Sequence, residues 1–273
     1  EFPKLPEVEG GRSVEVEQAL LKQLINETIF SVSTDETRAL LTGALTVLGD
    51  GVIKMVATDT HRLAVSTMPA PTMVVGGETG EPDAGFDGGV IIPARALREL
   101  ARVLDPEEGS KLQVHVTRNQ VLFQMEGMSL VSRLIDGQFP HFERVIPKEC
   151  QKRLVLNTQE LLAAHRRASS ILPRDSANRV VLRTADEGLL DITAEAGEVG
   201  RAHEQIEVTR EGDEVEIAFN VRYLADMLGI VEAESVVIEL TGALNPGIVK
   251  PVAAEDEPEG RSYLYVLMPM AVQ

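Results

Sequence analysis

The sequence has one cysteine, Cys150, so no internal disulfide can form and a reducing cytosol is the compartment it suits. Cys150 sits in the polar run Lys148-Glu149-Cys150-Gln151-Lys152 with no histidine beside it, a setting for a connector rather than a nucleophile. No apolar run is long enough to cross a bilayer, and there is no signal-peptide pattern. Basic residues are scarce, 26 against 43 acidic ones, for a net charge of −17. That balance argues against loose electrostatic adhesion to nucleic acid or to an anionic membrane, though a local basic face is still allowed. Motif absences are as informative. There is no GxSxG elbow, no Walker A or Rossmann glycine pattern, and no zinc-ligand spacing among His61, His115, His141, His165 and His203. No metal or cofactor is expected.

What remains is an ordinary globular composition, 44% hydrophobic and 25% charged, in 273 residues: enough for two domains with their own cores. Residues 1–11 are punctuated by Pro and Gly and read as linker. Ser13–Val16 alternates like a strand, and from Glu17 the stripe Leu20, Leu21, Leu24, Ile25 and Thr28 predicts a helix. Strands are predicted at Ala44–Leu48 and Val52–Ala57 around Gly49-Asp50-Gly51. The acidic, glycine-rich stretch Gly76–Gly89 has no basic residue and reads as a mobile surface loop, not a phosphate cradle. Val90-Ile91-Ile92-Pro93 leads into a helix with apolar face Leu97, Leu100, Ala101 and Leu104, and with Arg95, Arg98 and Arg102 on a separate stripe. Strands at Leu112–Val116, Val121–Met125 and Ser129–Leu134 follow, and Asp136-Gly137 turns the chain toward Pro147.

The pattern then repeats. A strand at Leu154–Leu156 precedes the capping box Asn157-Thr158-Gln159-Glu160 and a helix through Leu161, Leu162, His165 and Ala168. A hairpin around Gly188, a strand at Glu214–Phe219, a helix through Val221, Leu224 and Met227, and strands at Ser235–Leu240, Ile248–Val252 and Ser262–Met268 complete it. Leu45, Gly51, Met55 and Ala57 correspond to Leu182, Gly188, Ile192 and Ala194. Ile92-Pro93 corresponds to Phe219-Asn220. The gapped repeat implies two copies of one α+β fold, each with two helices packed on antiparallel sheets.

The densest polar cluster is Thr58-Asp59-Thr60-His61-Arg62, a tight turn between the apolar runs ending at Ala57 and starting at Leu63. One reading is a hydrolase using Asp59 and His61 as a general-base pair, but the sequence offers no nucleophile motif beside it, and bonding the turn backbone is the simpler role. Another is an acidic interaction scaffold without a DNA role. The arginine stripe reads as a solvated helix face near Glu99 or as phosphate-facing, with Arg166 and Arg167 on the corresponding early helix of the second copy.

TDETRALLTGAL, VATDTHRLAV, VIIPARALRELARVL, DGQFPHFERVIP, AFNVRYL, LTGALNPGIVKPV and YLYVLMPM, in this order over nearly the whole chain, resemble the bacterial DNA polymerase III β subunit, the sliding clamp. The resemblance implies a DNA-clamp domain fold, with 12–147 as the middle domain, 148–273 as the C-terminal domain, and residues 1–11 as linker from an absent N-terminal copy. It implies a non-catalytic cytoplasmic processivity factor, an accessory subunit of the replicative polymerase. Full-length members form a homodimeric ring around duplex DNA, whereas this fragment is expected to be a monomer. Arg95, Arg98, Arg102, Arg166 and Arg167 would face the DNA, and a ring that holds DNA by topology needs few phosphate contacts.

The family's partner site lies between its middle and C-terminal domains and takes linear motifs of polymerase, clamp loader and repair proteins, a Gln followed by apolar and aromatic residues. The matching positions are Leu41, Thr58, Thr60, His61, Arg62, Leu63, Pro140, Arg144, Val145, Asn220, Tyr223, Leu244, Pro246, Val266, Leu267, Met268, Pro269 and Met270. Thr60 stands where many members carry Gly, which would narrow the turn. Ala271-Val272-Gln273 departs from the usual basic-then-Leu ending.

Overall fold

The computed structural model describes residues 11–49, 51–70, 74–75, 89–107, 109–173, 178–185, 188–197, 199–254 and 258–272. The expected linker (1–11) and acidic loop (76–89) lie outside them except for Gly11 and Gly89. The chain divides into two compact units: Glu1–Asp59, Val65–Pro140 and Pro258–Ser262 in one, Thr60–Ala64, His141–Glu257 and Tyr263–Gln273 in the other.

In the first unit, β1 (Arg12–Glu17) runs into α1 (Gln18–Thr28), followed by β2 (Gly43–Gly49), β3 (Val52–Thr58), β4 (Arg62–Pro69, its residues up to Ala64 belonging to the second unit), β5 (Val74–Val75) and β6 (Val90–Pro93). α2 (Ala94–Val103), β7 (Lys111–Val116), β8 (Gln120–Met125) and β9 (Met128–Arg133) close it. One sheet has the order β5-β1-β7-β8-β9, all antiparallel; β4-β3-β2-β6 are neighbours in turn elsewhere. The helices pack on each other and turn Leu21, Leu24, Ile25, Leu97 and Leu100 into a core with Val14, Val114 and Phe123 from one sheet and Ala44, Ile53 and Met55 from the other. Burying each large side chain contributes roughly 1.5–3 kcal/mol. The α1 start has no side-chain cap; the Gln18 amide donates to Ser110 O at 2.8 Å instead.

The second unit repeats this plan. β10 (Lys152–Asn157) leads into α3 (Thr158–Ser169), followed by β11 (Arg179–Ala185), β12 (Leu189–Ala196), β13 (Gly200–Glu207), β14 (Thr209–Glu211) and β15 (Glu216–Asn220). Then come α4 (Val221–Leu228), β16 (Ser235–Leu240), β17 (Gly247–Pro251) and β18 (Ser262–Leu267). β13-β12-β11-β15 form a four-stranded sheet under α3, and β14-β10-β16-β17-β18 are neighbours in turn. Asn157 caps α3: the Glu160 amide donates to its Oδ1 at 3.0 Å.

The two copies match at the predicted positions. Leu45, Met55 and Ala57 are buried, as are Leu182, Ile192 and Ala194; Gly51 and Gly188 both take positive φ, 74° and 81°. Pro93, paired with Gly43, precedes α2 as Asn220, paired with Arg179, precedes α4. The hairpins close differently, Gly49 pairing with Val52 but Ala185 with Leu189, while the gap in the repeat falls later, between Ala57 and Ile92 in the first copy. β13 and β14 have no counterpart in the sequence reading. β13 (GRAHEQIE) buries only Ile206 fully, so its pattern carries no apolar alternation to read.

Candidate functional site

The sequence places the Thr58–Arg62 turn between two strands, and the structure agrees: β3 ends at Thr58 and β4 begins at Arg62. Thr60 has φ 81°, the one non-glycine among the described residues with positive φ. A β-branched residue is strained there because its side chain crowds the backbone. The turn therefore persists only where its surroundings hold it. One such hold is visible in the second unit, where the Met268 amide donates to His61 O at 2.9 Å.

Arg62 comes next, its side chain only 10% exposed. Its Nη1 donates to Asp226 Oδ2 at 2.6 Å, and its guanidinium carbon lies 4.3 Å from the centre of the Tyr223 ring. The His61 ring is stacked toward the same tyrosine, centroids 6.4 Å apart and planes 24° from parallel. Helix α4 supplies both partners. Asn220 caps it by accepting from the Arg222 amide at 2.9 Å, and Leu224, Met227 and Leu228 anchor it in the core. Tyr223 and Asp226, three residues apart, then fall on one face. Tyr265, fully buried in β18, donates its hydroxyl to Tyr223 O at 3.0 Å.

Beyond β18 the chain leaves Met268 39% exposed, while the Met270 amide donates to Ala218 O at 2.8 Å. In the loop between β16 and β17, Leu244 is 79% exposed and Pro246 half-buried. Leu244 and Met268 are thus exposed apolar side chains in the same unit as Tyr223, His61 and Arg62. Leu63, Val266 and Leu267 are instead buried. Pro269 is half-buried, and Arg144 and Val145 lie exposed on the 3-10 turn Phe142–Val145. Leu41 (buried), Thr58 (half-buried) and Pro140 (exposed) belong to the first unit. The sequence reading missed Asp226 and Tyr265. The i+3 spacing from Tyr223 was the available signal for Asp226; the pairing of Tyr265 with the backbone of α4 had none.

The five arginines are all exposed, on helix faces opposite the buried Leu97, Leu100, Leu161, Leu162 and Ala168. Arg102 Nη1 donates to both Glu99 oxygens, at 2.8 and 3.0 Å. Arg167 donates through Nε and Nη2 to Glu204, at 2.8 and 2.6 Å, which raises its pKa further. Among the described residues no group of three or more His, Cys, Asp or Glu could hold a metal, and no helix is long and apolar enough to cross a membrane. Burial pushes the Cys150 thiol up from its ordinary value, away from the thiolate.

A duplicated α+β unit, with paired helices on antiparallel sheets and a strand-to-strand turn against the second helix of the second copy, defines the DNA-clamp class. Residues 15–141 match the family profile "DNA polymerase III beta subunit, central domain" and residues 143–271 its C-terminal domain. The chain belongs to the bacterial DNA polymerase III β subunit family, the sliding clamps. The beta sliding clamp of Halalkalibacterium halodurans is 36% identical over 253 residues, 92% of this chain and 64% of that protein. The chain thus spans under two thirds of the length of that curated relative. The Bacillus subtilis sliding clamp structure superposes with a TM-score of 0.86 at 29% identity, over 100% of this chain and 68% of that one. A Pseudomonas aeruginosa sliding clamp solved bound to griselimycin gives 0.85 at 30% identity, over 99% and 68%.

Proposed function

We propose that the chain is part of a replication processivity clamp, a non-catalytic accessory subunit of a DNA polymerase that captures linear motifs of its partners. We assign motif binding to the second unit, with His61, Arg62, Tyr223, Leu244 and Met268 as the residues that take part. The observation that carries this is the tyrosine itself, braced by Arg62 and anchored on α4 while Met268 remains exposed. A surface of that kind gains affinity by burying an incoming Leu or Phe against fixed walls. That a related clamp is solved bound to griselimycin supports ligand capture by this family. Duplex DNA is the second partner in this reading, contacted without sequence preference through arginines on α2 and α3, within a homodimeric ring in the whole protein. A body of net charge −17 suits a sleeve that must slide, because dense phosphate contact would hold it in place.

The hydrolase reading has no support in the comparisons. Immobilised peptide carrying a Gln with downstream Leu and Phe should retain the chain, and a version with all three changed to Ala should not. Equal retention of both peptides, or of neither, contradicts the proposal.

A further inference from the structure

Arg62 poses an electrostatic problem whose answer lies one helical turn from the tyrosine. An arginine whose side chain is only 10% exposed has given up much of its hydration and needs a carboxylate or a ring face in return. It has both: Asp226 Oδ2 at 2.6 Å and the Tyr223 ring at 4.3 Å. Because Tyr223 and Asp226 sit three residues apart on α4, one guanidinium reaches the two together. The carboxylate is itself 45% exposed, so it faces the Arg62 cation from the solvent side of the helix. A charge-assisted bond this short fixes the direction of the cation, and the cation then restricts the rotation of the ring beneath it.

We propose that Asp226 is a positioning residue for ligand capture: by holding Arg62 over Tyr223 it presets the aromatic wall against which a partner's apolar side chain packs. The inference rests on the peptide-binding reading above. Without the carboxylate, the cation turns toward water, the ring samples other rotamers, and binding must re-order both side chains.

The test uses Asp226→Asn, nearly isosteric and without charge, in the chain of residues 1–273, with thermal unfolding to verify the fold. Calorimetric titration with the Gln/Leu/Phe peptide should show affinity lower by about fivefold, the cost of ordering one or two side chains. In an Arg62→Ala background the same change should have almost no effect, because Asp226 acts through Arg62. An equal loss in both backgrounds, or no loss in either, overturns the inference. A second readout needs no peptide. With ring-labelled tyrosine the three tyrosines, Tyr223, Tyr263 and Tyr265, give separable NMR signals, Tyr223 being assigned with Tyr223→Phe. Asp226→Asn should shift or broaden the Tyr223 ring signals and leave the other two in place. Unmoved Tyr223 signals refute the positioning role even if no peptide binds, whereas absence of wild-type binding with shifted Tyr223 signals refutes only the peptide reading.

Discussion

Replacing Thr60 by glycine should stabilise the protein. At φ 81° an L-residue carries a steric cost of about 1–2 kcal/mol, and a β-branched side chain belongs at the upper end. Glycine removes that cost but gives the unfolded chain more freedom, which takes back about 0.4–1 kcal/mol. Thr60 is exposed, so the lost methyl and hydroxyl subtract little burial. The balance is a net gain of about 1 kcal/mol, or a rise in midpoint of roughly 2–4 °C for a chain of this size. Thr60→Ala is the control: it keeps a Cβ in the left-handed region and should gain nothing comparable. Guanidinium titration followed by far-UV circular dichroism, with thermal scans beside it, measures both variants. If Thr60→Gly is no more stable than the wild type, or Thr60→Ala is equally stabilised, the turn is not strained and the argument from its backbone fails.

Two further outcomes follow from the buried histidine and the exposed arginines. His165 is fully buried, its Nε2 bonded to Val221 O at 2.7 Å, and burial holds its pKa below the ordinary 6.5. The unfolded chain therefore binds a proton that the folded one refuses, so stability is complete above about pH 6.5 and falls below it by up to about 1.4 kcal/mol per unit. In His165→Gln that dependence should flatten, and the stability gap to wild type should narrow from pH 7.5 to 5.5; parallel profiles would contradict it. Duplex DNA binding by this chain should be weak and steeply salt-dependent, and Arg98→Glu should reduce it most visibly at low ionic strength. Binding that survives high salt, or an unaffected Arg98→Glu, would move the DNA contacts elsewhere.

Much of the fold could be read because its repeat is written in buried positions. Leu45 and Leu182, or Met55 and Ile192, must be apolar to line their cores, and Gly51 and Gly188 must be glycine to turn. Asn157 announced its helix by its hydrogen-bonding chemistry, and Asn220 caps α4 in the same way. What stayed hidden depends on partners distant in sequence. β13 is polar along nearly its whole length and becomes a strand because β12 pairs with it from Leu189 to Ala196. At the candidate site, residue types marked the turn at Thr58–Leu63 and the family resemblance added Val266–Met270, but the sequence could not separate wall from backing. Leu63, Val266 and Leu267 turn out buried, and Met268 and Leu244 exposed, because strand direction and loop exit decide which side chain reaches water. Asp226 looked like any acid on an amphipathic helix until Arg62, 164 residues away in sequence, was found against it.

The central claim is that the second unit, with its exposed apolar side chains and braced tyrosine, captures a linear motif, and calorimetric titration of the chain with the Gln/Leu/Phe peptide tests it most directly. Two or three apolar side chains, each worth roughly 1.5–3 kcal/mol before ordering costs, place the complex near micromolar, on the order of −8 kcal/mol. Met268→Ala removes part of the wall and should weaken binding about tenfold, whereas Arg144→Ala, an exposed charge on a 3-10 turn, should change it by less than about threefold. A micromolar wild-type complex with that order of losses is the result expected. No measurable heat from the wild type, or a peptide indifferent to Met268, would contradict the account.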